Sequence, residues 1–241
     1  MSSLRNKPIG LIVAENLAAA GVFEAHGMDF CCHGGQTLEA ACAARHIPIE
    51  QLESELAALN LEPVKERPDV NAMSLAELSR HILATHHVYT KKALPKIAGH
   101  LDTVVLVHGG NHPQLSAIRQ LYTTLRQELE PHLEKEERIL FPFIEAMDES
   151  GRLPTSDFSG VSQPIALLER EHESAGQALD RINALANGYH PPDDACNTYR
   201  LVLRELQELE QDLHIHIATE NYLFFPKAVA LEKSLGVQNH F

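Results

Sequence analysis

The chain has 241 residues, enough for one sizeable domain with an appendage and for a buried core that needs no staples. Its formal net charge is −13 and its basic residues are scattered singly or in pairs, which disfavours nucleic acid or an anionic membrane surface as partner. The apolar start "IGLIVAENLAAAG" is interrupted by Glu15 and Asn16, shows no cleavage site and is too short to span a bilayer, so a cytoplasmic protein is expected.

In chain order, residues 8–60 hold three short helical patterns interrupted by "GMDFCCHGG" and followed by the proline-bearing, charged stretch "LEPVKERPDV". This predicts a small helical domain over 1–62, a linker over 63–73 and the main domain over 74–241. Of the four cysteines, Cys31 and Cys32 are adjacent, a spacing that bridges poorly, so the thiols are read as reduced. They precede Gly34, Gly35 and a helix starting near Thr37; a thiol just before a helix can have a lowered pKa, and the glycines permit a tight turn or a close approach. Cys42 and Cys196 read as ordinary small helix residues.

Four longer helical patterns follow, over roughly 74–100, 113–147, 162–187 and 194–232, with Ser74 and Glu77 forming a capping box for the first. Short connections between long helices favour antiparallel neighbours, so the fold class is all-α: an antiparallel four-helix bundle carrying a small helical N-terminal domain.

Two of these helices repeat a motif. "HLEKEERILFP" and "HIATENYLFFP" share His-x3-Glu-x4-Phe-Pro at an offset of 216 − 132 = 84. "LATHHVYTKKAL" matches "LEREHESAGQAL", setting His87 against His172 at an offset of 172 − 87 = 85. Two similar helical hairpins, related by a pseudo-two-fold axis, are therefore expected. The second helix carries an inward stripe of Ile118, Tyr122, Leu125, Leu129, His132, Glu136, Ile139 and Phe143. In the fourth it is Val202, Leu206, Leu209, Leu213, His216, Glu220 and Leu223, and in the third Ile165, Leu168, His172, Ala175, Leu179 and Ile182. In the first helix the stripe alone leaves His86 and His87 open; the repeat offset selects His87. The proline of each Phe-Pro is expected to end or kink its helix and the phenylalanine to plug the bundle end.

Four histidines and two glutamates thus converge at one level of the interior, where an unpartnered carboxylate costs several kcal/mol or takes up a proton. Six such groups make sense around cations. Imidazole and carboxylate without thiolate suit iron, manganese or zinc, and one tetrahedral zinc would leave two ligands idle. Two octahedral ions need about 12 positions; four histidines and two bridging carboxylates fill about 8, a bridging oxide or hydroxide about 2, and about two stay open for a small ligand. His81, His86, His100, His108, His112, His190 and His214 carry no such constraint and are assigned mostly to the surface.

With "DFCCHGGQTL", "HLEKEERILFP", "EREHESAG" and "HIATENYLFFP" in view, the bundle resembles the hemerythrin-like fold. Nearly the whole chain resembles the di-iron repair-of-iron-centres family, whose N-terminal domain carries a Cys-Cys motif. The resemblance implies iron ligands at His87, His132, Glu136, His172, His216 and Glu220, holding two non-haem iron ions bridged by Glu136, Glu220 and an oxo or hydroxo group. It further implies restoration of iron-sulfur clusters damaged by nitrosative or oxidative stress, with damaged iron-sulfur proteins as clients and nitric oxide or an oxygen species as small ligand. Cys31 and Cys32 become candidate thiols that accept an iron, exchange with a client or handle a nitrosyl group; a structural turn is the plainer alternative. Nitric oxide reduction and a nitric oxide or dioxygen sensor using the same site are the competing functions, and homodimerisation stays open. In the first helix, "VYTKKAL" after His87 is less polar than the family pattern, leaving the surroundings of that ligand unassigned.

Overall fold

The computed structural model describes residues 4–59, 69–155 and 160–238; residues 63–68 of the expected linker lie outside them. Among the described residues there are helices and one isolated β-bridge, Pro8 to Thr37. Helices α1 (Ile9–Glu15), α2 (Ala19–Ala25), α3 (Leu38–Arg45) and α4 (Ile49–Leu59) make the N-terminal part, one more than expected because the first pattern breaks at Asn16. Four rods follow: α5 (Leu75–Ile82) with α6 (Val88–His108), α7 (Gln114–Lys135) with α8 (Phe141–Ser150), α9 (Ser162–Leu185), and α10 (Asn197–Thr219) with α11 (Phe225–Gln238). No described helix is long and apolar enough to cross a membrane.

Three of the rods are joined through single wide π turns, at Leu83–His87, Glu136–Leu140 and Glu220–Phe224. These turns explain two departures from the expected pattern. The first is the stripe of the second rod: a π turn adds a residue to one revolution, so Ile139 rotates outward to 50% exposure while Leu140, Phe141 and Ile144 are buried. The second is the Phe-Pro pair. Pro142 and Pro226 do not end their helices; each occupies the second position after a π turn, where a missing N–H costs the ladder little, and the helices run on to Ser150 and Gln238. The first rod also runs on past residue 100 to His108, because Leu101 and Val104 extend its buried face.

The chain divides into two compact units. Unit 2, Arg80–Phe143 and Gln163–Leu213, contains a stretch of each rod and is a four-helix bundle in itself. Its core interdigitates Leu94, Ile97, Leu101 and Val104 with Ile118, Tyr122 and Leu125, then Leu179 and Ile182, then Val202, Leu206 and Leu209. Tyr122 is among its buried tyrosines, and its hydroxyl donates to the Leu94 carbonyl at 2.9 Å.

Unit 1 comprises the chain up to Ser79, Ile144–Ser162 and everything from His214 on. The small helices pack against the middle of the fourth rod, just before its π turn: Ile9, Val13, Phe23, Phe30, Leu38 and Leu52 form one core with Ile217 and Ala218. The expected capping box is present, Ser74 N–H donating to Glu77 at 2.9 Å and Glu77 N–H to the Ser74 hydroxyl at 3.2 Å.

Candidate metal centre

Three of the six expected ligands sit at the edge of a π turn: His87 closes the first, Glu136 opens the second and Glu220 opens the third. A π turn re-aims the side chain beside it, which is why such turns recur at functional sites. All six ligands are at most 2% exposed.

Within unit 2, His87, His132, Glu136 and His172 come together. His132 Nε2 and His172 Nε2 are 3.1 Å apart, and Glu136 Oε1 lies 3.4 Å from His132 Nε2. The other oxygen, Glu136 Oε2, lies 3.5 Å from His87 Nε2. Glu136 is fully buried and neither of its oxygens accepts a hydrogen bond. Two ligand atoms each about 2.1 Å from a shared ion stand about 3.0–3.4 Å apart, so the spacing suits a cation better than it suits hydrogen bonds. His86, by contrast, turns away to Asp212 at 2.9 Å, so the stripe admits His87 alone.

The outer faces of two imidazoles are held alike. His87 Nδ1 lies 3.0 Å from Glu137, which pairs with Lys91 at 2.5 Å. His132 Nδ1 lies 2.8 Å from Glu171, which pairs with Lys135. A carboxylate only accepts, so each Nδ1 carries the proton and each Nε2 lone pair points inward, where a metal needs it. Burial pushes both outer carboxyls up, yet the lysine and histidine donors hold Glu137 and Glu171 below the ordinary carboxylate value. Sequence reading missed these four residues, although Glu137 and Glu171 adjoin predicted ligands and Lys91 lies in the very "VYTKKAL" stretch left unassigned.

Within unit 1, His216 Nε2 lies 2.9 Å from Glu220 Oε1, the spacing that His-x3-Glu imposes along one helix face. The thiols are here too. Asp29 accepts from the backbone N–H of Cys31 at 3.1 Å and of Cys32 at 2.9 Å, which folds the loop tightly. The two sulfurs are 3.5 Å apart and unbridged. Cys31 is buried, and its bond with Cys32, its burial and Asp29 together push the thiol up, opposite to the lowering expected at a helix start; α3 begins only at Leu38, seven residues after Cys31, too far along the chain for the thiol to sit at its N-terminus. Gly34 is where a close approach is needed: its carbonyl accepts from Gly10 N–H at 2.9 Å, and a Cβ there would meet the Phe30 carbonyl at 2.0 Å. The loop also meets the start of the third π turn, with Asn221 donating to the Cys31 carbonyl at 3.4 Å. A cavity of about 640 Å³ beside it is lined by Asp29, Cys32, His33, Arg45 and Tyr222.

Most of the remaining histidines are not free surface residues. His100 pairs with Glu205 at 2.6 Å and His214 approaches Glu24 at 3.7 Å.

An all-helical bundle whose interior gathers histidine and glutamate donors is the signature of a cation-binding helical domain, and the chain belongs to the hemerythrin HHE cation-binding domain family, whose profile matches residues 78–228. A second profile, a domain of unknown function, matches residues 5–60. Similarity extends nearly end to end to proteins named iron-sulfur cluster repair protein YtfE. That of Citrobacter koseri is 34% identical over 230 residues, 95% of this chain and 100% of the relative. That of Cronobacter sakazakii is 34% identical, covering 96% of this chain and 100% of the relative. The Escherichia coli O8 protein is 33% identical, covering 95% and 99%.

Proposed function

We propose that the six residues form one two-metal centre and that the chain is a di-iron protein that repairs iron-sulfur clusters damaged by nitrosative or oxidative stress. The observation that carries the reading is Glu136: a fully buried carboxylate with no hydrogen-bond donor, offering one oxygen toward His132 and the other toward His87. That is how a carboxylate serving two cations must stand. His132 and His172 would hold one ion and His87 the other, with His216 and Glu220 completing both. Support for the last pair comes from the repeat and from α10 itself, which runs unbroken from Leu206, Leu209 and Leu213 to His216, the next inward step of the same stripe.

Iron held there would supply an exchangeable, redox-active cation with open positions for nitric oxide or an oxygen species. The chain's own residues do the rest. Glu137 and Glu171 fix the proton on Nδ1 of His87 and His132. Leu223, Phe224 and Phe225, all buried, keep water from the end of the site. Cys32, more accessible than Cys31, is the thiol presented to a client. Repair acts on iron-sulfur proteins, as the names of the relatives support, and this reading places it in the cytoplasm.

Purified protein is expected to bind about two irons per chain, lost on His132→Ala or Glu220→Gln substitution. Iron-loaded protein should restore activity to a nitric-oxide-damaged iron-sulfur enzyme, and the His132→Ala variant should not. One zinc per chain with no iron uptake would reject the centre. Catalytic formation of nitrous oxide under reducing conditions, without reactivation of the client, would replace repair with nitric oxide reduction.

A further inference from the structure

At the end of unit 2 away from His87, two connections bring a second set of donors together. The turn from α6 to α7 carries His108 and His112, and the approach to α10 carries Asp194 and Cys196. His108 and His112 are one helical turn apart, His112 N–H donating to the His108 carbonyl at 2.9 Å, so both rings leave the same side. His108, His112 and Asp194 each place a ligand atom within 4.8 Å of the other two. His112 Nε2 lies 3.0 and 3.1 Å from the two Asp194 oxygens. His108 Nε2 lies 3.1 Å from Cys196 Sγ. Tyr199, buried on the first turn of α10, braces both imidazoles with ring centroids 5.5 Å away from each.

We propose that His108, His112, Asp194 and Cys196 form a second, mononuclear site for a zinc-class divalent cation, separate from the two-metal centre. Two imidazoles, a carboxylate and a thiolate are a zinc donor set and a poor one for calcium or magnesium, which take oxygen. On a tetrahedral ion a nitrogen and an oxygen stand about 3.4 Å apart and a nitrogen and a sulfur about 3.6 Å, so the ion opens the His112–Asp194 and His108–Cys196 pairs by only a few tenths of an ångström, while Cys196 swings from His108 toward the His112–Asp194 pair to complete the set. The thiol also stands at a fixed corner: Cys196 immediately precedes the first residue of α10, the helix whose Tyr199 braces both imidazoles. Cys196 is therefore not the ordinary helix residue expected, and His108 and His112 are not idle surface histidines. The ion would tie the α6–α7 corner to the start of α10. About 30 Å of helix, at 1.5 Å per residue, separates His108 from His87, and the proposal does not depend on what fills the inner centre.

The test uses the full chain, reduced and loaded with iron, titrated with cobalt(II) and then zinc. Expected are one further equivalent of cobalt with a thiolate-to-cobalt charge-transfer band, displacement of that band by zinc, and a rise in thermal midpoint with zinc. Cys196→Ser should remove the band, and His112→Ala or Asp194→Asn should weaken binding more than about tenfold, with iron content and helical circular dichroism unchanged. The same titration on the His132→Ala variant should still find the equivalent, so failure of the inner centre and failure of this site read differently. The proposal is overturned if no further equivalent binds at micromolar free metal. It is also overturned if that equivalent persists in both His112→Ala and Asp194→Asn, or if it binds with no thiolate band.

Discussion

Unit 2 carries two clusters of the same residue types held in opposite ways. The inner one, His87, His132, Glu136 and His172, is sealed from water, and its imidazoles are oriented from behind by Glu137 and Glu171, each tied to a lysine. The outer one, His108, His112, Asp194 and Cys196, is partly open to solvent, and its members bond to one another. Burial makes the difference. In the interior an unmatched charge costs several kcal/mol, so the donors must be aimed and their outer faces satisfied before any cation arrives. At the surface water supplies what is missing, and close pairing suffices.

The largest effect that would break this comparison belongs to Glu136. Glu136→Leu is expected to abolish both irons of the proposed centre, in which this carboxylate serves both positions, and to leave the metal-free protein more stable than its metal-free parent by about 1–4 kcal/mol. The sign follows from burial: with no cation, the fully buried carboxyl group has no hydrogen bond to offset its removal from water. Iron analysis with denaturant unfolding of chelated protein checks both halves. A metal-free variant less stable than its parent would mean that the carboxylate is satisfied by the protein alone.

The outer carboxylates should matter less. Glu137→Gln and Glu171→Gln leave every ligand in place and remove only the acceptor behind His87 or His132. Each is expected to weaken iron retention by about 10–100-fold, measured as loss to a competing chelator. Equal effects from the two would match the parallel geometry of the His87–Glu137–Lys91 and His132–Glu171–Lys135 chains.

The inner cluster was legible in the sequence because helical period and an internal repeat both act on buried positions. A polar residue on an apolar stripe stands out, and its twin 84 positions away removes chance. Ile139 was misread for a related reason: a π turn changes the period within one revolution, and no residue type announces it. Glu137 and Glu171 escaped because they sit beside the stripe, on faces where charged residues are ordinary. The outer cluster escaped more completely. Its donors come from two connections 82 residues apart in the His112–Asp194 pair, with no periodicity to link them, and only folding shows that they meet. Gly34 illustrates the middle case: a close approach was expected, but its partner Gly10 emerged only from the packing of α1.

A smaller effect concerns unit 1. Gly34→Ala places a methyl against the Phe30 carbonyl and the Gly10 Cα, at 2.0 and 2.8 Å, both backbone and unable to swing away. Destabilisation of about 1–3 kcal/mol is expected, seen in thermal or denaturant unfolding. Iron should be retained by the folded protein, because the added methyl touches none of the proposed ligands. Loss of iron in parallel with stability would mean that the thiol loop and its contact at Asn221 govern the centre as well.

The smallest effect is kinetic and sorts the thiols without changing the fold. Cys196 is exposed and its thiolate is favoured, Cys32 is partly exposed, and Cys31 is buried with its thiol pushed up by Cys32, burial and Asp29. Alkylation at neutral pH, followed by peptide mass analysis, should therefore modify Cys196 first, Cys32 next and Cys31 last, since the thiolate is the nucleophile. Asp29→Asn separates the causes. It removes the charge that opposes ionisation of Cys31, so Cys31 should react faster while Cys196, in the other unit, keeps its rate. Reaction of Cys31 ahead of Cys32 in the unaltered protein would mean that the loop opens in solution, and the order then measures that opening rather than the resting geometry.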